Sequence, residues 1–143
     1  MSRWWIYQRE RFPVFAHGLL ILAFSACAVS FSGLLLGNTT PPWFAYAVAF
    51  GVCFLMFLQL RIADEFKDAG DDARWRPYRP VPRGLVKLSE LRIVFIISGV
   101  LQAAMAFALD RWLLVPLVIA WTYLALMSVE FFMRDWLKKR PVI

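Results

Sequence analysis

Between Arg61 and Gly84 the chain concentrates acids, arginines and prolines in one short stretch. The acids are Asp64, Glu65, Asp68, Asp71 and Asp72. If the preceding apolar run continues as a helix, Asp64, Asp68 and Asp72 fall at i, i+4 and i+8. Each step turns by about 40°, so the three share a face, with Glu65 and Asp71 beside it. Like charges at this spacing repel, and a bound cation offsets the repulsion. Magnesium suits such a stripe, because it takes oxygen from a few carboxylates and completes its shell with water and substrate phosphate. The acids lead into Arg74-Trp75-Arg76-Pro77-Tyr78-Arg79-Pro80-Val81-Pro82-Arg83-Gly84. Three prolines fix φ and exclude a regular helix. The stiffness lowers the entropy cost of holding arginines in place. Arg79 and Arg83 can grip phosphate oxygens through paired hydrogen bonds, and Gly84 permits an unusual turn or a close backbone approach. The plainer reading is a solvated acidic helix tip, neutralised by Lys67, Arg74 and Arg76, followed by arginines that touch lipid headgroups.

What must position these residues is a membrane bundle. Of 143 residues 61% are hydrophobic, an excess over ordinary soluble domains. The apolar residues gather into four runs, at about 14–36, 43–62, 93–109 and 112–133, each long enough or nearly so to cross a hydrocarbon core of roughly 30 Å. The first is too long for the apolar core of a cleavable signal. The fold class expected is an all-α integral membrane domain over 1–143, with four spans in two antiparallel hairpins. The turns at Gly37–Pro42 and Asp110–Arg111 close the hairpins, and the segment 63–91 is the one long polar loop. Fifteen of the sixteen Lys and Arg residues lie before the first span, around that loop or after the fourth span, and Arg111 alone lies elsewhere. The positive-inside rule then puts both termini and the loop in the cytoplasm. A net charge of +6 so distributed speaks for topology and lipid contact, and no nucleic acid is expected as a partner. Trp4, Trp5 and Tyr7 suit the headgroup region. Gly33 and Gly37 form a GxxxG that can bring helices close. His17, Gln59 and Gln102 are expected to make hydrogen bonds between helices.

Asp64-Glu65-x-x-Asp68-x-x-x-Asp72 resembles the first aspartate-rich motif, NDxxDxxxD, of the UbiA family of intramembrane prenyltransferases, with DE in place of ND. Arg79-Pro80 and Arg83-Gly84-Leu85-Val86 resemble the segment that leads into that family's third helix. The resemblance covers nearly all of this chain and about half of a family enzyme, its N-terminal half. It implies that Asp64, Asp68 and Asp72, with Glu65, hold Mg2+ together with a prenyl diphosphate. It also implies that Arg79, Arg83 and Lys67 contact the diphosphate. The implied chemistry is loss of diphosphate to leave an allylic cation that an acceptor attacks. The family's second aspartate motif has no counterpart here, since Asp110, Glu130 and Asp135 are isolated. The expectation is therefore a half that needs a second chain, a homodimer or a longer gene product, and that does not turn over alone. Ala69-Gly70-Asp71-Asp72-Ala73-Arg74 also resembles the centre of the CDP-alcohol phosphatidyltransferase motif, but Leu88 stands where that motif needs an acid. The non-enzymatic alternative is a four-helix membrane protein that binds lipid or a partner chain.

Overall fold

The computed structural model describes residues 2–37 and 40–132. Met133 and the basic group Arg134, Lys138, Lys139 and Arg140 lie outside the described residues. The described residues form six α-helices: α1 (Arg3–Arg11), α2 (Val14–Leu35), α3 (Trp43–Lys67), α4 (Ala69–Trp75), α5 (Leu88–Leu109) and α6 (Leu114–Ser128). No strand occurs among the described residues. Among the described residues four helical segments are long and apolar enough to cross a membrane: α2, α3, α5, and α6 with the 3-10 turn Arg111–Leu113 before it.

The apolar runs become helices because no Gly-Pro pair or polar break interrupts them, and because helix is the one open-chain form that satisfies its own backbone in lipid. Their ends are set by local chemistry. Pro13 and Pro42 stand at the N-caps of α2 and α3, where a missing N–H costs nothing. Gly37 closes α2 at φ +69°, its N–H bonded to the Leu34 carbonyl. That conformation favours glycine, so Gly37 stops a helix here and forms no GxxxG contact surface. Pro116 falls in the first turn of α6, the one helical place it is tolerated. The third span begins at Leu88, not at residue 93, because Glu90 accepts the Lys87 N–H at 2.9 Å and caps the helix early.

The hairpins form as expected, but the spine of the bundle is the pair α3 and α5, which run against each other most extensively; α2 packs on α3, and α6 on α5 and α3. Few side chains on these helices are buried, and many large apolar ones are exposed, as on a lipid-facing surface; Phe15, Leu35, Trp43 and Phe107 are examples. Polar side chains cross-link the interior. Gln102 donates to the Val52 carbonyl at 3.1 Å and accepts from Trp121 Nε1 at 2.9 Å, tying α3, α5 and α6 together. Gln59 donates to the Phe95 carbonyl at 3.1 Å. Both glutamines therefore act between helices as expected. His17 does not: its Nδ1 bonds the Pro13 carbonyl one turn back and its ring stacks on Phe12.

Candidate functional site

The motif lies at the end of the bundle where α1, α4 and the 76–87 loop meet. A small core there joins Tyr7 of α1, Ile62 of α3, Val86 of the loop and Leu91 of α5. Trp4 and Trp5 are exposed, as interfacial tryptophans should be, but Tyr7 is buried. Burial, with Glu65 second, pushes the Tyr7 phenol well above its usual value, so it stays protonated.

The single acidic face expected from the i, i+4, i+8 spacing is divided. The helix runs to Lys67, bends at Asp68 (φ −93°, ψ 1°) and resumes as α4; the backbone bonds Asp68 N to Asp64 O and Asp72 N to Asp68 O carry through the bend. Glu65 and Asp72, seven residues apart, turn inward and are almost fully buried. Asp64 and Asp68 stay accessible, and Asp71 is exposed. Glu65 is held by the Arg11 guanidinium, whose side chain is itself only 11% exposed. Asp72 accepts from Arg79 at 2.5 Å and lies 3.6 Å from Arg76. The Asp72 hydrogen bond holds the Arg79 guanidinium above even its ordinary high value. Two guanidiniums on one carboxylate leave that point with a net positive charge.

The prolines shape the arginine segment as the sequence suggests. The stretch from Arg79 to Leu85 is a turn closed by backbone bonds from Arg83 N to Arg79 O at 3.0 Å, Gly84 N to Val81 O at 3.0 Å and Leu85 N to Pro80 O at 2.9 Å, with Gly84 at φ +77°. The last two bonds have the pattern of a glycine-terminated helix end, here closing a turn. Arg83, one turn beyond Arg79, forks onto both Glu10 oxygens at 3.0 and 3.1 Å and onto the Tyr78 carbonyl. Lys67 pairs with Glu130 at 3.0 Å, and Asp64 sits 3.5 Å from Arg61. The structure therefore brings Arg79 and Asp72 together, and gives Arg83 and Lys67 to other carboxylates.

Among the described residues no three His, Cys, Asp or Glu side chains converge on one point. Magnesium asks less than that: one or two carboxylates, with water and phosphate for the rest. Asp64 and Asp68, accessible and one turn apart, fit that demand, although Asp64 also lies 3.5 Å from the Arg61 guanidinium; Glu65 and Asp72 are buried against arginines.

Sequence reasoning missed what α1 does. Arg3 bonds Glu90 at 2.6 Å, Glu10 bonds Arg83 and Arg11 bonds Glu65, so one nine-residue helix is tied to three parts of the motif end. The signal was present: Arg3, Tyr7 and Arg11 recur every four residues, on one face of a helix. Comparison of the chain with models of known families, with curated proteins and with solved structures finds no match.

Proposed function

We propose that this chain is the diphosphate-binding half of a UbiA-like prenyltransferase, in which Asp64 and Asp68 hold Mg2+ and the arginines around Asp72 receive a prenyl diphosphate. The observation that carries the reading is the arrangement at Asp72. A buried carboxylate holds Arg76 and Arg79 side by side with one positive charge in excess, one helical turn from the accessible Asp68. Positive and negative loci set that close suit a ligand that brings both an anion and a cation.

Asp72 acts here as a positioning residue: it fixes two guanidiniums in place before substrate arrives, which lowers the cost of ordering them on binding. When bound, magnesium would neutralise charge on the departing diphosphate. Arg79 and Arg76 would hold the diphosphate oxygens, and the apolar helices below would keep water from the isoprenoid chain. Asp71, outside the motif, takes no part. Further helices, from a longer gene product or a second chain, would bring the other acidic edge, so the chain alone is expected to bind without turning over. The chain sits in the membrane with the motif loop and both termini on the cytoplasmic side in this reading. The competing reading, a four-helix protein that binds lipid or a partner, draws on the pairing of Arg83 with Glu10 and of Lys67 with Glu130, which occupies those two cations.

Binding of a slowly ionising prenyl thiodiphosphate to Asp68→Ala and Asp71→Ala separates the two. Asp68→Ala should lose at least tenfold of the magnesium-dependent affinity and Asp71→Ala little. Equal affinity of both variants and wild type would favour the lipid-binding protein.

A further inference from the structure

A second site lies where α3 ends, α5 begins and α6 ends. A hollow of about 470 Å³ there is walled by Ala63, Phe66, Lys67, Arg92, Phe95 and Ser128. A further hollow of about 340 Å³ between the same three helices shares Phe95 and Ser128 with it, so the two join as one groove. Two helices lay a stripe along this groove: Arg92, Ile96 and Gly99 on α5, and Trp121, Ala125 and Ser128 on α6. The steps within each stripe are four and three residues, the spacing of one helix face. The two helices are antiparallel, so Arg92 stands with Ser128 at the end of the bundle. Gly99 stands with Trp121, roughly 10 Å deeper by the helical rise.

The two ends of the groove differ in chemistry. The deep end is apolar, because the Trp121 N–H is spent on Gln102 and Gln59 is almost fully buried. Ile96 is 58% exposed there and Ala125 is exposed, so this end opens to lipid. The mouth carries two cations. Lys67 pairs with Glu130 at 3.0 Å. Arg92 is exposed, lies 5.9 Å from the centre of the Phe66 ring and pairs with no carboxylate among the described residues. The Ser128 hydroxyl is spent on the Leu124 carbonyl at 2.8 Å. Lys67, Glu130 and Arg92 together therefore leave one positive charge in excess, on a guanidinium seated at the mouth. An arginine near a helix end would by itself only reach up to bulk headgroups. The apolar groove beneath Arg92 is what makes this place a site.

We infer that the groove binds one anionic phospholipid, whose phosphodiester meets the Arg92 guanidinium while an acyl chain lies along the α5–α6 stripes. A single excess charge calls for a monoanion, which a phosphodiester is and a diphosphate is not. The guanidinium offers paired donors to phosphate oxygens. Its seat against Phe66 holds it over the mouth before a lipid arrives. A basic pocket between membrane helices, at the level of the headgroups, is where anionic lipids bind. The apolar depth, open to the bilayer along its length, supplies the place for the chain; a free phosphate would leave it empty. The inference rests on neither reading of the function, because Arg92 and the two stripes lie outside the acidic motif.

The probes are dioleoyl phosphatidylglycerol and dioleoyl phosphatidylcholine, which share their tails and phosphate and differ in net charge. The full chain in detergent micelles is titrated with each, and native mass spectrometry counts the lipids retained. The wild type should hold one phosphatidylglycerol about tenfold more tightly than phosphatidylcholine, the ratio that one charge-assisted hydrogen bond supplies. Arg92→Gln should bring the two lipids to about equal affinity. Arg111→Gln removes the same charge at the opposite end of the bundle and should leave the preference intact. Ala125→Trp fills the groove from its exposed side; it should weaken both lipids severalfold and keep the ratio. Glycerophosphoglycerol, the headgroup without tails, should not displace the lipid at equal concentration. Equal affinity of the wild type for both lipids, a preference that survives Arg92→Gln, or one that Arg111→Gln abolishes as well would overturn the inference. No effect of Ala125→Trp, or displacement by the tail-less headgroup, would also overturn it.

Discussion

Removing Arg11 should do more damage than removing the charge it neutralises. The two ends of the Arg11–Glu65 pair are buried unequally: the Glu65 side chain is 1% exposed and that of Arg11 11%. Arg11→Met strands a carboxylate beneath α1, beside the buried Tyr7. Breaking a buried pair from this side costs about 3–5 kcal/mol, because the surviving charge has no water to turn to. Glu65→Gln leaves the cation at the end of a long side chain near the surface, where it can reach solvent, so about 1–2 kcal/mol is expected. The double variant Arg11→Met/Glu65→Gln removes both charges and should recover about 2 kcal/mol relative to Arg11→Met alone. Equilibrium unfolding of the four proteins in mixed micelles gives the cycle. Equal costs for the two single variants, or a double variant as unstable as the sum of both, would refute the claim that α1 is anchored by this pair.

Other outcomes follow from the same contacts. Asp72→Asn should weaken prenyl thiodiphosphate binding as well as stability, since Arg76 and Arg79 lose what holds them together; a stable variant with unchanged binding would remove Asp72 from the site. Gly84→Ala should cost about 1–2 kcal/mol in the same unfolding assay, because its φ of +77° suits glycine; no loss would mean that the turn relaxes. Reporters placed in the turn 37–42 and in the loop 76–87 should fall on opposite sides of the membrane, with the loop cytoplasmic. The same side for both would break the four-span topology.

The spans were legible in the sequence because lipid demands long apolar helices, and such runs have few other readings. The glutamines were legible for the same reason, since a buried amide in a span must find a partner. The acidic motif was legible as composition and only partly as geometry. Period alone puts Asp64, Asp68 and Asp72 on one face. Which acids turn inward depends on where the arginines arrive, and Arg11 comes from more than fifty residues upstream. Tyr7 misled for a related reason: an aromatic at an interface reads as a headgroup anchor until Ile62, Val86 and Leu91 are seen to cover it. The spine α3–α5 was not legible either, because short turns announce hairpins and nothing in the sequence announces the packing between them.

The measurement that bears most directly on the proposed function is the affinity of the wild-type chain for farnesyl thiodiphosphate in nanodiscs, titrated with and without magnesium. The account predicts saturable binding at one site per chain, at least tenfold tighter with magnesium and displaced by inorganic diphosphate plus magnesium. Binding that is indifferent to magnesium, or that inorganic diphosphate does not displace, would contradict it.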